Sequence, residues 1–195
     1  MNGPGPKDKV IQCQIVRSKG RAPMQYPKYM LYLEEKNSKL RFMLSARKRK
    51  KSKSSNYLIS LDEEDQARKS KTYFGKLRSN FVGTEFIMYD KGISPGKADK
   101  SLEGSTMSVR EELGAAFYQY NILGSRGPRK MTVLLPRVDA HTSIAEVFRP
   151  EQEDKGMIEL FKRREDLECM TVRMFWNYKL ITLSLRFVLL AFLRH

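Results

Sequence analysis

A regular series of short strand-like segments, separated by turn residues, constrains the fold of this chain more than any other feature. The first segment, Val10–Val16, alternates apolar and polar residues as a half-buried strand does. Further segments of this kind are Tyr29–Leu33, Leu40–Ala46, Asn56–Leu61, Thr72–Leu77, Thr84–Tyr89 and Met131–Leu135. Strands so short and evenly spaced are typical of an antiparallel meander that closes into a barrel or sandwich.

The stretch from Val109 to Tyr120 permits two interpretations. Ser108 and Glu111 have the spacing of a helix capping box, and apolar residues follow at helical intervals. The same stretch also alternates as a strand would, with Ala115 and Phe117 on one side. The residues alone leave helix and strand open.

The charge of the chain is strongly positive and unevenly distributed. The net charge is +15, and residues 1–61 hold fifteen lysines and arginines against three acids. A field of this size favours nucleic acid, anionic lipid or an acidic protein as partner, without distinguishing among them.

A basic run lies between two predicted strands and is therefore interpreted as a hairpin loop. Its cations are Arg47, Lys48, Arg49, Lys50, Lys51 and Lys53. Such a run suits an anionic membrane surface, and equally a nuclear-import receptor or a nucleic-acid backbone. A solvated loop tip with no partner is the third interpretation.

A second basic feature, Lys76 and Arg78, stands two residues apart in a predicted strand, so both side chains project from one face. Cations on a rigid strand lose little conformational entropy when they bind a multiply charged anion. The neighbouring aromatic residues are expected to anchor this strand pair in a core: Tyr73, Phe74, Phe81, Phe86 and Tyr89.

Residues 72–92 (TYFGKLRSNFVGTEFIMYDKG) resemble the tubby-like domain, as do RKRKKSKSSNYLIS upstream and LGSRGPRKM downstream. The resemblance starts near Lys9, is dense from Tyr29 to Pro136, thins by Pro150 and then stops. It implies a strand at Val109–Tyr120 and a non-enzymatic domain that recognises phosphoinositides. It also implies that Arg126, Arg129 and Lys130 either extend the positive face or simply form a turn.

The resemblance further implies which residues hold the lipid head group. They are Lys76 and Arg78 in GKLRSN, Asn56 in SNYLIS, and Arg110 in SVREELGAA. The chemistry is suitable, because arginine grips a phosphate with two parallel donors and lysine adds a compact charge. An asparagine amide donates to a phosphate or sugar hydroxyl.

Catalysis has little support in the sequence. The chain has two histidines, His141 and His195, and neither has metal-ligand spacing to a cysteine or carboxylate. No nucleotide-binding or nucleophile-elbow motif is present. We therefore expect no enzymatic activity, no metal and no cofactor. Cys13 and Cys169 form no disulfide framework, which favours a reducing compartment.

The predicted fold is mainly β: an incomplete tubby-like barrel of antiparallel strands with a short helix or two. Residues 1–8 (MNGPGPKD) are expected to be a linker whose natural start lies upstream, and residues 9–156 the partial domain. Residues 157–195 are expected to be a divergent tail replacing the rest of the barrel and its central helix. In this tail, Phe161–Glu168 is expected to start a helix. Leu180–Leu193 is too short and too polar to cross a bilayer easily.

The expected function is that of an adaptor recruited by phosphatidylinositol 4,5-bisphosphate to the cytosolic face of the plasma membrane or cilium. As the resemblance implies, it would serve membrane trafficking and receptor signalling, with protein cargo that the sequence does not identify. The alternatives are a nuclear, nucleic-acid-binding transcriptional regulator, and a truncated splice product with impaired function.

Overall fold

The computed structural model describes residues 12–18, 26–50, 52–97, 108–119, 129–139, 141–142, 144–165, 168 and 170–177. These residues form one nine-stranded antiparallel sheet in which each strand pairs with the next along the chain. The strands are β1 (Cys13–Ser18), β2 (Lys28–Glu34), β3 (Leu40–Lys48), β4 (Asn56–Ser60), β5 (Tyr73–Ser79), β6 (Glu85–Asp90), β7 (Glu112–Tyr118), β8 (Arg129–Pro136) and β9 (Met170–Asn177). One α-helix, α1 (Met157–Arg163), lies between β8 and β9.

The mainly β, antiparallel meander predicted from the sequence is confirmed. Within the described part of the chain the first and last strands do not pair, so the sheet is open, as in an incomplete tubby-like barrel. The helical interpretation of Val109–Tyr120 is wrong, because β7 pairs with β6 on one side and β8 on the other. Ala115 and Ala116 are both buried on opposite faces, so tertiary packing decides the conformation.

Each face of the sheet carries its own core. On one face, strands β2 to β7 bury a cluster formed by Leu31, Met43, Leu44, Ala46, Ile59, Leu77, Met88 and Leu113. On the other face, α1 packs through Met157 and Leu160 against Ile87, Tyr89, Ala115 and Leu134. The helix therefore covers the β6–β8 part of the second face.

Helix α1 begins at Met157, four residues before the predicted start at Phe161, and it ends at Arg163, within the predicted Phe161–Glu168. A left-handed backbone at Arg164 (φ 57°) ends it. The buried Glu112 carboxylate fixes its start by accepting the Met157 N–H at 2.7 Å. Strand β9 follows the helix, so the sheet continues beyond residue 156; the domain boundary predicted there stays a prediction.

One aromatic residue lies where the sequence did not predict it. Phe81 was expected to anchor the core, yet it is 86% exposed in the β5–β6 loop. It follows the last residue of β5 by two positions, so it belongs to neither strand and has no sheet face to cover. By contrast, Tyr89 is buried and Phe74 and Phe86 pack at the edge of the first core.

Candidate anion-binding site

Strand pairing gathers three of the four predicted site residues on the face that carries α1. Lys76 lies opposite Tyr89 of β6, and Arg78 lies opposite Asn56 of β4. Directly paired residues of neighbouring strands point to the same face. Asn56, Lys76, Arg78 and Tyr89 therefore share one surface, beside the part covered by the helix.

Arg110 reaches the same surface from the segment that precedes β7. Its backbone N–H donates to the Ile93 carbonyl at 2.8 Å, which fixes the segment against the end of β6. Its guanidinium carbon lies 3.8 Å from the centroid of the Tyr89 ring, and the Lys76 Nζ lies 5.5 Å from the same centroid. The Tyr89 ring thus holds two cations together by attraction to its π face.

The positive charges at this site repel one another. Burial first, and then the charges of Arg110, Arg68, Arg78 and Lys97 in that order, lower the pKa of Lys76 to about 8. In the described part of the chain, none of Lys76, Arg78 and Arg110 forms an ion pair with a carboxylate. Such an arrangement favours a bound anion, which would relieve the repulsion.

Three buried polar atoms around the site have no hydrogen-bond partner among the described residues. They are Arg110 Nε, Asn56 Oδ1 and Arg47 Nε. An unmade hydrogen bond of a buried group costs about 1–3 kcal/mol, so native structures rarely leave one without a ligand or water. Arg110 is 8% exposed, and its unpaired donor suits a phosphate oxygen. The Asn56 oxygen suits a hydroxyl group.

The basic run is part strand and part loop, which corrects the prediction of a loop over its whole length. Arg47 and Lys48 belong to β3 because they pair with Leu58 and Tyr57 of β4. Arg47 and Lys76 both lie opposite Leu58, so Arg47 extends the site on the same face.

The rest of the run forms the β3–β4 loop, residues 49–55. The Arg49 N–H donates to the Asn56 carbonyl at 2.8 Å, which closes the loop. Arg49, Lys50 and Lys53 are exposed. Lys51 lies outside the described residues, as does Arg126; Arg129 and Lys130 are described only as backbone of β8.

Sequence reasoning missed several contributors to the site. Tyr89 was predicted as a core residue only, although its position opposite Lys76 follows from the strand register. Arg68 and Lys97 carry no local signal, because only the fold brings their charge to Lys76. Glu112 was also missed. Burial raises the pKa of its carboxyl, while the Met157 N–H and Arg110 act in the opposite direction.

Two further observations limit the chemistry of the described residues. Their His, Cys, Asp and Glu side chains form no group of three that is suited to a metal ion. None of their helices combines the length and the apolar character that a bilayer crossing requires. The described site is a cationic surface built around the Tyr89 ring, with buried hydrogen-bond donors on Arg47 and Arg110.

Comparison with known proteins finds a matching family and relatives that cover most of this chain. The model of the Tub family matches residues 1–187. Tubby-related protein 2 of Mus musculus is 44% identical over 152 residues, which are 77% of this chain and 27% of that protein. Tubby-related protein 3 of Homo sapiens is 41% identical over 163 residues (83% and 36%), and Tubby protein homolog 1 of Caenorhabditis elegans is 37% identical over 171 residues (84% and 39%). The chain therefore spans between about a quarter and two fifths of these relatives.

Proposed function

The chain belongs to the Tub family, and we propose on this premise that it is an adaptor that binds phosphatidylinositol 4,5-bisphosphate in the cytosolic leaflet. Asn56, Lys76, Arg78 and Arg110 hold the head group. The protein acts by binding and not by catalysis.

The observation that carries this proposal is the pair of cations over Tyr89. Lys76 and Arg110 lie over one ring, half-buried and buried respectively, and no carboxylate among the described residues pairs with either. Surface cations that serve only solubility spread apart in water, because like charges repel. Two cations that are held together and partly desolvated suit a ligand with closely spaced phosphates.

The cellular role follows from the family. As the tubby-like resemblance implies, lipid binding at the plasma membrane or cilium recruits the protein to membrane cargo or to receptors. The exposed Arg49, Lys50 and Lys53 add attraction to the anionic leaflet without selecting among its lipids. The stereospecific site supplies the selection.

Liposome co-sedimentation tests this function directly. We expect the chain to bind vesicles that contain phosphatidylinositol 4,5-bisphosphate more tightly than charge-matched vesicles of phosphatidylinositol 4-phosphate or phosphatidylserine. Lys76→Ala/Arg78→Ala should weaken the selective binding at least tenfold, because two charge-assisted contacts are lost. Lys39→Ala/Arg41→Ala is a matched control. It removes the same residue types at the same spacing from exposed positions at the start of β3, at the other end of that strand from Arg47.

Equal binding to all anionic vesicles, unchanged by the double substitution, would contradict the proposal. If the chain then bound duplex DNA or RNA with a steep dependence on salt, the nuclear alternative would be favoured, since phosphate-backbone binding releases counterions.

The pH dependence of binding gives a further prediction. With a pKa of about 8, Lys76 is charged in about 90% of molecules at pH 7 and about 10% at pH 9. Since the anion favours the charged form, the affinity should fall up to tenfold as pH rises from 7 to 9. Lys76→Arg keeps its charge throughout and should remove most of this dependence. A fall of equal size in the arginine variant would show that another group titrates.

A further inference from the structure

The β5–β6 loop, residues 80–84, presents apolar side chains to solvent. Phe81 is 86% exposed and Val82 is 61% exposed. An aromatic side chain so exposed at a loop tip contributes almost nothing to the core, and adjacent exposed apolar groups often mark an interaction surface.

The loop is held in a defined shape by its own hydrogen bonds. The Asn80 Oδ1 accepts the N–H groups of Gly83 at 2.8 Å and Thr84 at 3.0 Å, and the Asn80 N–H donates to the Glu85 carbonyl at 3.0 Å. Gly83 has a φ of 78°, which a glycine adopts at little cost. Because these N–H groups at the base of the loop are paired, they add little desolvation cost when the tip approaches an apolar medium.

This apolar tip lies beside the basic β3–β4 loop. The Ser79 N–H donates to the Ser55 carbonyl at 2.9 Å, and the Ser55 N–H donates to the Ser79 Oγ at 3.1 Å. Both loops therefore emerge from the same end of the sheet. Asn56 and Arg78, which lie opposite each other, stand at the start of β4 and near the end of β5, and so at this same end.

The charge around the tip fits an anionic surface. Arg49, Lys50 and Lys53 are exposed on the adjacent loop. The nearest carboxylate along the chain, Glu85, forms an ion pair with Lys162 at 3.0 Å. Exposed apolar residues flanked by cations suit the interface of a bilayer, in which cations meet head groups and apolar groups reach the acyl chains.

We propose that Phe81 and Val82 form a membrane-insertion tip that enters the acyl region of the bilayer while Lys76 and Arg78 hold a head group. This inference rests on the proposed function, since that head group docks the sheet end on the membrane. The apolar tip strengthens binding to a bilayer, but it does not strengthen binding to a soluble head group. The partner of this surface is therefore lipid, and not a protein.

Phe81→Ser separates the two modes of binding. We expect it to weaken binding to phosphatidylinositol 4,5-bisphosphate vesicles about tenfold or more, because an aromatic side chain no longer enters the bilayer. Its affinity for soluble inositol 1,4,5-trisphosphate, measured by calorimetry, should equal that of the wild type. Leu61→Ser, at the exposed opposite end of β4, should change neither value.

A spectroscopic measurement tests insertion independently, in case Phe81→Ser changes binding by altering the structure of the protein. In Phe81→Trp, vesicles with dibrominated acyl chains should quench the added tryptophan emission, relative to the wild type, whose single tryptophan is Trp176. Unchanged vesicle binding by Phe81→Ser, or no additional quenching in Phe81→Trp, would overturn the insertion tip and leave Phe81 free for a protein contact.

Failure of the proposed function gives a different result. A wild-type chain that binds no soluble head group contradicts the phosphoinositide site, whatever Phe81 does. Quenching of Phe81→Trp on phosphatidylserine vesicles would then still support insertion, driven by the basic loop alone. Its absence there would overturn insertion as well.

Discussion

Arg110→Ala is expected to lower the affinity for phosphatidylinositol 4,5-bisphosphate vesicles by about a hundredfold or more, the largest binding effect of any single substitution in the site. Arg110 is 8% exposed and its Nε has no hydrogen-bond partner within the described part of the chain, so it meets the ligand with little ordering cost. Charge-assisted bonds in such a partly desolvated position are much stronger than those of exposed cations.

The same substitution has a second readout in the free protein. Arg110 is the charge that most lowers the pKa of Lys76, after burial itself. Its removal should therefore raise that pKa from about 8 toward the ordinary lysine value, as measured by NMR titration of labelled lysine. Arg137→Ala, at an exposed arginine paired with Glu146, serves as the control and should alter neither quantity. An unchanged Lys76 pKa together with full vesicle binding would remove Arg110 from the site.

Gly75→Ala is expected to have the largest effect on stability. A Cβ atom at Gly75 would lie 2.1 Å from the Tyr89 carbonyl oxygen, a backbone atom that cannot move without breaking the β5–β6 pairing. We expect the free energy of unfolding to fall by about 3 kcal/mol or more. Because Gly75 precedes Lys76 and lies against the Tyr89 backbone, head-group binding should be lost with it.

Gly83→Ala provides the comparison for this prediction. A Cβ atom at Gly83 would meet open space, so the substitution is costly only because of the positive φ. We expect it to lower the free energy of unfolding by about 1 kcal/mol. Urea denaturation of both variants checks the order. A Gly75→Ala variant as stable as Gly83→Ala would mean that β5 and β6 separate more easily than their pairing indicates.

Much of the fold could be predicted because most strands show the alternation of apolar and polar side chains within their own residues. The pattern in Tyr29–Leu33 or Asn56–Leu61 needs no distant partner to be recognised, and the structure has a strand at each. Val109–Tyr120 was ambiguous because its alanines and glycine suit a buried strand between two neighbours as well as a helix. Only the pairing with β6 and β8 resolves it.

The candidate site was predictable only in part. The spacing of Lys76 and Arg78 places both on one face, and this needs nothing beyond strand geometry. That Arg110 shares Tyr89 with Lys76 depends on how the segment before β7 crosses the sheet, which no local pattern encodes. The prediction for Phe81 was wrong because the sequence does not show where β5 ends and the turn begins. An apolar residue next to a strand is then taken for a core residue.

The meander order of the strands has a consequence for how the site is made. Strands β4 to β7 are consecutive in the chain and hold all four predicted site residues within or next to them. Sheets whose strands pair with their sequence neighbours have low contact order, and their loops close at a small entropic cost. Each new hairpin can therefore add to the growing edge as synthesis proceeds. All four residues precede β8 in the chain, so the strand pairings that position Asn56, Lys76 and Arg78 do not involve β8, α1 or β9.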